Sequence, residues 1–344
     1  MKRGRLNLAL LLSCSALFAC APKVNLSEYG EKELDSKTAQ HKLPDYVVNK
    51  KKPRVAVLPF GTAQDVAKRC NLDASAQENT INTLVKVGTT EVVERGQLNA
   101  LMQEAKLSVG IGGDIDIAQL SRLGSGIDYV IVGSIASVNT SANFTEARQY
   151  TDRQGRLIVT PPTCTETGTA SLTVRVLTFP AGTVLKAMTP KATKTNNREV
   201  RFSGDCRVQD VCGLLSSAVA SAADDMREDF LALFPAYGYV YKTMTHNKEA
   251  KKRIAFITLG SGDGLKAGEK VDIIEFKVER DPVKGGDILR EYVVSECTVV
   301  ENNLATDRSI CIIPEEKAQN VLVRHAVKTR VNVGLLRKIE KLTK

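Results

Sequence analysis

The sequence predicts an α/β (α+β) domain with a mixed sheet over residues 54–236, followed by a small β-barrel domain over residues 237–344. Three observations carry this. Short apolar runs alternate with helical spacing through the first half. After Tyr237 the pattern changes to short strands divided by glycine-rich turns. An export-type leader precedes both.

The leader has three parts. Lys2, Arg3 and Arg5 give a positive start, and residues 6–18 are apolar but too short to span a bilayer as a mature helix. Leu17-Phe18-Ala19-Cys20 closes the segment and resembles the bacterial lipobox, whose cysteine thiol accepts diacylglycerol before the peptide is cut. The resemblance implies a signal peptide over residues 1–19 and lipidation of Cys20. Ala21 stands where outer-membrane-sorted lipoproteins lack the retaining Asp, so the expected location is the outer membrane, facing the periplasm. Residues 20–53 then read as a lipidated tether: polar, without a period, and ending in the basic run Lys50, Lys51, Lys52. No later segment has the apolar length of a transmembrane helix. Loss of the leader removes three positive charges and takes the net charge from +9 to +6. A mildly basic chain suits anionic envelope surfaces, while export and the lack of Trp argue against a nucleic-acid partner.

The elements follow in order. Val55-Ala56-Val57-Leu58-Pro59-Phe60 reads as a strand buried on both faces. Ser75 and Glu78 have capping-box spacing ahead of Ile81, Leu84 and Val85. A short strand at residues 91–94 leads to a helix with Leu98, Leu101, Met102 and Ala105 on one face; Asp114 opens another with Ile117, Leu120 and Leu123. Residues 129–135 form a third apolar strand. Residues 170–179 alternate, and Pro180-Ala181-Gly182-Thr183 turns the chain. Leu215, Val219, Ala222, Met226, Phe230 and Leu233 recur at steps of three and four, a long amphipathic helix stopped by Pro235. The barrel strands fall at 254–259, 270–276, 291–294, 297–300, 310–313 and 321–323.

Six cysteines remain in the mature chain: Cys70, Cys164, Cys206, Cys212, Cys297 and Cys311. An even number in an exported chain points to disulfides, and without a C-x-x-C a metal centre is not expected. Proximity in the chain pairs Cys206 with Cys212 and Cys297 with Cys311, leaving Cys70 with Cys164.

Four stretches of the first domain resemble the curli secretion lipoprotein (CsgG) family. They are Val55 to Phe60 as quoted, Val92-Val93-Glu94-Arg95-Gly96-Gln97-Leu98, Gln103-Glu104-Ala105-Lys106-Leu107 and Asp128-Tyr129-Val130-Ile131-Val132-Gly133-Ser134. The resemblance implies that family's periplasmic α/β domain with a β-hairpin insertion. Pro235-x-x-Gly238, Ile257-x-Leu259-Gly260 and Asp263-Gly264-Leu265-x-x-Gly268 resemble the SH3-like C-terminal domain of the flagellar assembly protein FlgT. There Gly260, Gly262, Gly264 and Gly268 make turns; they lack the spacing of a phosphate loop.

Curli channels are rings whose subunits each lend two hairpins to a membrane barrel. From 134 to 144 one face carries Ala136, Val138, Ala142 and Phe144, but from 192 to 202 both faces are polar or charged, with Lys194 and Arg198 on one and Glu199 and Arg201 on the other. A basic side chain facing lipid at the midplane costs about 2–4 kcal/mol, so a relative without a pore is expected. The tail offers a basic contact surface in Arg324, Lys328, Arg330, Arg337 and Lys338, for anionic glycan, headgroups or a partner protein. His246 and His325 have no neighbouring nucleophile or carboxylate pattern, so neither an enzyme nor a cofactor is expected. Three readings follow. The first is a lipid-anchored scaffold or accessory in assembly or export of an envelope appendage, with envelope proteins or further copies of itself as partners. The others are a ring-forming curli-type channel and a lipid-anchored regulator of peptidoglycan synthesis.

Overall fold

The computed structural model describes residues 21–40, 42–93, 126–283 and 285–331. The leader, Cys20, the helices expected within 98–123 and the tail beyond Val331 lie outside the described residues, as do residues 94–107 of the family-like motifs. The described chain is a mixed α/β protein built on two seven-stranded sheets, one open and one closed into a ring.

Residues 21–53 are not a free tether. They carry a 3-10 turn at Leu26–Glu28, β1 (Tyr29–Gly30), a second turn at Glu33–Ser36 and α1 (Asp45–Val48). All of it lies on the ring. β1 pairs antiparallel with Thr245 and His246, and Thr38 bridges to Val323. Val24 packs with Ile254, Val300 and Ile310; Val47 packs with Ile274, Phe276 and Ala326. The strongest tie is polar. Arg253 is wholly buried, and its Nη2 and Nε donate to Asp35 Oδ1 at 2.7 and 3.1 Å. Thr243 and Thr245 hydroxyls donate to the same carboxylate at 2.8 Å, and Arg253 Nη1 donates to the carbonyls of Ala318 and Val321. Single apolar residues and scattered ion pairs make no period, which is why the segment reads as a linker.

The open sheet comes next. Its elements are β2 (Arg54–Val57), β3 (Gly61–Thr62), α2 (Asp65–Arg69), α3 (Leu72–Val87), β4 (Glu91–Val92) and β5 (Tyr129–Thr145). A small separate hairpin, β6 (Arg148–Thr151) and β7 (Leu157–Thr160), links β5 to β8 (Thr163–Thr178). Then come β9 (Val184–Met188), β10 (Lys191–Glu199), α4 (Val211–Asp225) and α5 (Arg227–Leu233). The strand order is β10-β8-β5-β2-β4. β2 runs parallel to β4 and β5, while β8 runs antiparallel to β5, so the sheet is mixed as expected. α3 and α4 cover one face, burying Leu72, Leu84, Leu215 and Val219 against Val55, Ile131, Leu172 and Val176. A second cluster on the sheet joins Ala56, Leu58, Val130, Val132 and Leu177.

Local details differ from the sequence reading. α3 starts at Leu72, after Asn71 in left-handed backbone, so Ser75 and Glu78 lie inside the helix rather than capping it. The long amphipathic helix is two helices, broken at Met226, though its stripe is buried from Leu215 to Phe230 and half-buried at Leu233. β5 and β8 are much longer than the apolar runs that revealed them, because their outer halves are polar on one face.

β11 (Tyr237–His246), β12 (Arg253–Ile257), β13 (Lys270–Arg280), β14 (Asp287–Val299), β15 (Ser309–Ile313) and β16 (Ala326–Thr329) complete the fold. Every neighbour is antiparallel, and β16 pairs with both β13 and β11, which closes the ring. Residues 291–294 and 297–300 belong to one strand, and residues 321–323 are not a strand; the last strand follows at β16. Gly264 and Gly268 are left-handed, with φ of 84° and 81°, as turn glycines should be. A Cβ on Gly264 would strike the Val87 carbonyl at the end of α3. There the two units touch, and Lys52 Nζ donates across the seam to the carbonyls of Gly88 and Gly262, both at 2.7 Å.

Three disulfides form: Cys70–Cys212, Cys164–Cys206 and Cys297–Cys311. Three bonds of this kind fit an oxidising compartment. Only the last pairing agrees with proximity in the chain. The expected Cys206–Cys212 and Cys70–Cys164 bonds are replaced because α3 and α4 lie side by side on the sheet, bringing Cys70 to the first turn of α4, while Cys206 meets Cys164 on β8.

Candidate functional site

The feature that stands apart from the packed core is the outer half of β5, β8 and β10. At Ala136 the β5–β8 ladder slips by one residue. The side chain of Gln64 holds the bulge: its Nε2 donates to the Ala136 carbonyl, and its Oε1 accepts from the Val138 amide, each at 3.1 Å. A bulge moves every following side chain to the other face. Beyond it the three strands extend past β2 and β3, whose pairing with β5 ends at Ile135.

One face of this extension lies under α4. Cys164, Glu166, Gly168 and Ala170 are buried there. Gly168 is required by closeness, since a Cβ would sit 2.7 Å from Leu214 Cγ. Buried Glu166 accepts from Arg198 Nε at 2.7 Å, and Arg198 Nη2 donates to the carbonyls of Asp205 and Arg207. With Cys164–Cys206 this pins the loop after β10 to the sheet.

The opposite face is open to solvent, and the register lays it out in five rows across β5, β8 and β10. They are Ser137, Ser171 and Lys191; Asn139, Thr169 and Thr193; Ser141, Thr167 and Thr195; Asn143, Thr165 and Asn197; and Thr145, Thr163 and Glu199. Thirteen of the fifteen positions are Ser, Thr or Asn, and the two charges sit at opposite ends, so the face is polar and close to neutral. Its signal in the sequence is Thr at every second position from Thr163 to Thr169, an alternation without hydrophobic contrast. Flanking the rows, the outer edges of β5 (from residue 139) and β10 pair with no other strand among the described residues.

The residues marked from sequence sit elsewhere. Cys20, Arg337 and Lys338 lie outside the described residues. Lys328 is matched by Glu291 at 2.7 Å and lies over the Tyr237 ring. Arg330 is matched by Glu296 at 2.5 Å and Asp272 at 3.6 Å. Arg324 stands exposed at a left-handed position beside β16. These three therefore do not form one free basic patch. Both described histidines have local roles. His325 is buried, its Nδ1 accepts from the Leu322 amide, and burial holds it below the usual imidazole value against the pull of Glu275. His246 Nδ1 accepts from the amides of Lys248 and Glu249. Among the described residues no group of three or more His, Cys, Asp or Glu is placed to hold a metal ion, and no helix is long and apolar enough to cross a membrane. Sequence reasoning also missed Asp35 and Arg253; the one hint was an arginine opening an otherwise apolar strand.

No family model matches the chain, and no curated protein matches it. Among solved structures it is similar to the hypothetical protein CT253 from Chlamydia trachomatis, at 16% identity over 42% of this chain and 72% of that one, with a TM-score of 0.26. It is also similar to the PelC dodecamer from Paraburkholderia phytofirmans, at 14% identity over 51% of this chain and 88% of that one, with a TM-score of 0.23.

Proposed function

We propose that this chain is an outer-membrane-anchored periplasmic lipoprotein that serves as a scaffold or accessory in assembling or exporting an envelope appendage. It meets its partners, or further copies of itself, through the free edges of β5 and β10. The observation that carries the reading is the extension itself. Proteins usually shorten, cover or charge a strand edge, because unpaired N–H and C=O groups recruit other strands. Here the outer edges of β5 and β10 run on either side of β8 past the bulge, stiffened by α4 and a disulfide, which is the geometry of β-augmentation. The lipobox, the CsgG-like stretches and an SH3-like reading of the ring, akin to the C-terminal domain of FlgT, support an envelope setting for such contacts.

The pore-less form of this reading is favoured over a curli-type channel on two grounds. A membrane barrel needs an apolar outer face, but one side of the extension is covered by α4 and carries Glu166, Lys194 and Arg198, while the other is hydroxyl-rich. β5 and β10 both run antiparallel to β8, so a ring joining β10 of one copy to β5 of the next would contain parallel junctions, unlike antiparallel membrane barrels. Regulation of peptidoglycan synthesis has less support: the segment that would act as a long tether is docked on the ring.

The test uses the full acylated chain purified in detergent. Mass spectrometry should find diacylglycerol on Cys20, and Cys20→Ser should free the protein from the envelope fraction. Along an edge, neighbouring amides point alternately in and out, so of Thr195→Pro and Asn196→Pro one removes an outward N–H and leaves the ladder intact. That variant should lose its cross-linked adducts in intact envelopes while keeping its thermal midpoint. Detergent-embedded rings with a barrel in the bilayer, or unchanged adducts in both variants, would refute the proposal.

A further inference from the structure

The five-row face of the extension differs in kind from an ordinary solvated sheet. A quarter of the whole chain is charged, yet the three inner rows carry no charge and no apolar side chain. Exposed strands are normally kept soluble and unpaired by Lys and Glu. A surface without charge selects neither anions nor cations, and one without apolar groups offers nothing to a bilayer or an amphipathic helix. Hydroxyl and amide groups are what remain, and each both donates and accepts.

The groups are also held in order. Threonine is β-branched and stiff at χ1. Thr169 and Thr193 hydroxyls lie 3.4 Å apart across the strands. β8, which carries the central column, is fastened by Cys164–Cys206 and by α4 seated on Gly168. A partner therefore meets a lattice that loses little side-chain entropy on binding. Rows repeat at about 6.8 Å along the strands and columns at about 4.8 Å across them, giving a strip about 27 Å long and about 10 Å wide. That shape suits a linear polymer lying along β8.

We propose that this face binds an uncharged glycan strand running along β8, with the Thr, Ser and Asn side chains meeting successive sugar hydroxyls. The proposal is separate from the export reading, which rests on the strand edges and not on the face. It is tested by native electrophoresis of the full chain in gels containing dextran, hydroxyethylcellulose or galactomannan, with polygalacturonate as the anionic control. At least one neutral polymer should retard the protein, and the same binding followed by titration in solution should be insensitive to added salt. Thr167→Val with Thr195→Val keeps the β-branched shape and removes two hydroxyls; it should weaken binding about tenfold or more. An unchanged circular dichroism spectrum and sedimentation coefficient would assign that loss to the hydroxyls. Retardation by none of the neutral polymers, or by polygalacturonate alone, would overturn the proposal. So would full binding by the double variant. A changed sedimentation coefficient in that variant would overturn it in favour of a second copy of the chain as the occupant.

Discussion

In the ring, each of the strands β11 to β16 has at least two neighbours, whereas among the described residues the open sheet leaves β5 and β10 with bare outer edges once the ladder passes Ala136. The two regions also differ in what lies between their strands. The ring closes over Val240, Ile257, Val271, Ile273, Val299 and Val327. The extension has a packed side only where α4 reaches. Apolar content thus decides where a sheet is sealed, and a polar face is what lets three long strands stay open without collapsing on one another.

The comparison can be broken hardest at the disulfides. Cys70–Cys212 closes the longest span, 142 residues, against 14 for Cys297–Cys311. Chain-entropy reasoning gives about 5 and about 3 kcal/mol respectively. Paired Cys→Ala replacements followed by urea unfolding should therefore loosen the open sheet more than the ring. Next comes the ion pair beneath the N-terminal segment. Asp35→Ala leaves Arg253 buried without its counter-charge and should cost about 3–5 kcal/mol. Limited proteolysis should then cut within residues 21–40, while Asp35→Ala with Arg253→Met should recover part of the loss. Gly168→Ala pushes Leu214 off β8 and should cost about 1–3 kcal/mol, read in the denaturation midpoint of the open sheet with the ring unaffected. Gln64→Ala frees the bulge for about 1 kcal/mol, and hydrogen exchange at Val138 should speed up.

The smallest effect is one of pH, and it falls on the ring alone. Burial lowers the His325 imidazole, so the folded state holds it neutral. Its contribution to stability is complete above the ordinary value of 6.5 and is lost as pH falls from there through the lowered folded value, because the unfolded chain binds the proton first. The thermal midpoint of the ring should drop as pH falls below the ordinary imidazole value of 6.5, and His325→Gln should flatten that slope. Asp35 acts at lower pH. Burial alone would raise its carboxyl, but hydrogen bonds from the Lys32 amide, Arg253, Thr245 and Thr243 outweigh it and leave it below the usual range. That stability is present above the ordinary carboxylate value and disappears as pH falls through the lowered one.

Much of this was legible in the residues. Alternating strands and helices gave the mixed sheet, and the spacing after Tyr237 gave most of the ring strands. Period-based reading works where a side chain's partners are repeated along an element. It failed where a contact is made once: Asp35 to Arg253, Cys70 to Cys212, Val24 into the ring. It also stopped short where a strand outlasts its apolar core, as β5 and β8 do, because the Thr and Asn alternation carries the same period with no hydrophobic signal.

The docking of residues 21–53 has a mechanical meaning. The Pro22 carbonyl accepts from the Glu301 amide, Val24 is hydrogen-bonded to Asn302, and Ala21 rests beside Gly268. A lipid on Cys20 would have about two residues, roughly 7 Å, of slack before the ring took the strain. A pull on that anchor would load the Pro22–Glu301 and Val24–Asn302 bonds first, then β1 and the Asp35–Arg253 pair, before reaching the seam at Lys52 and Gly264. The ring would then serve as the mooring, with the extension free to engage whatever passes it.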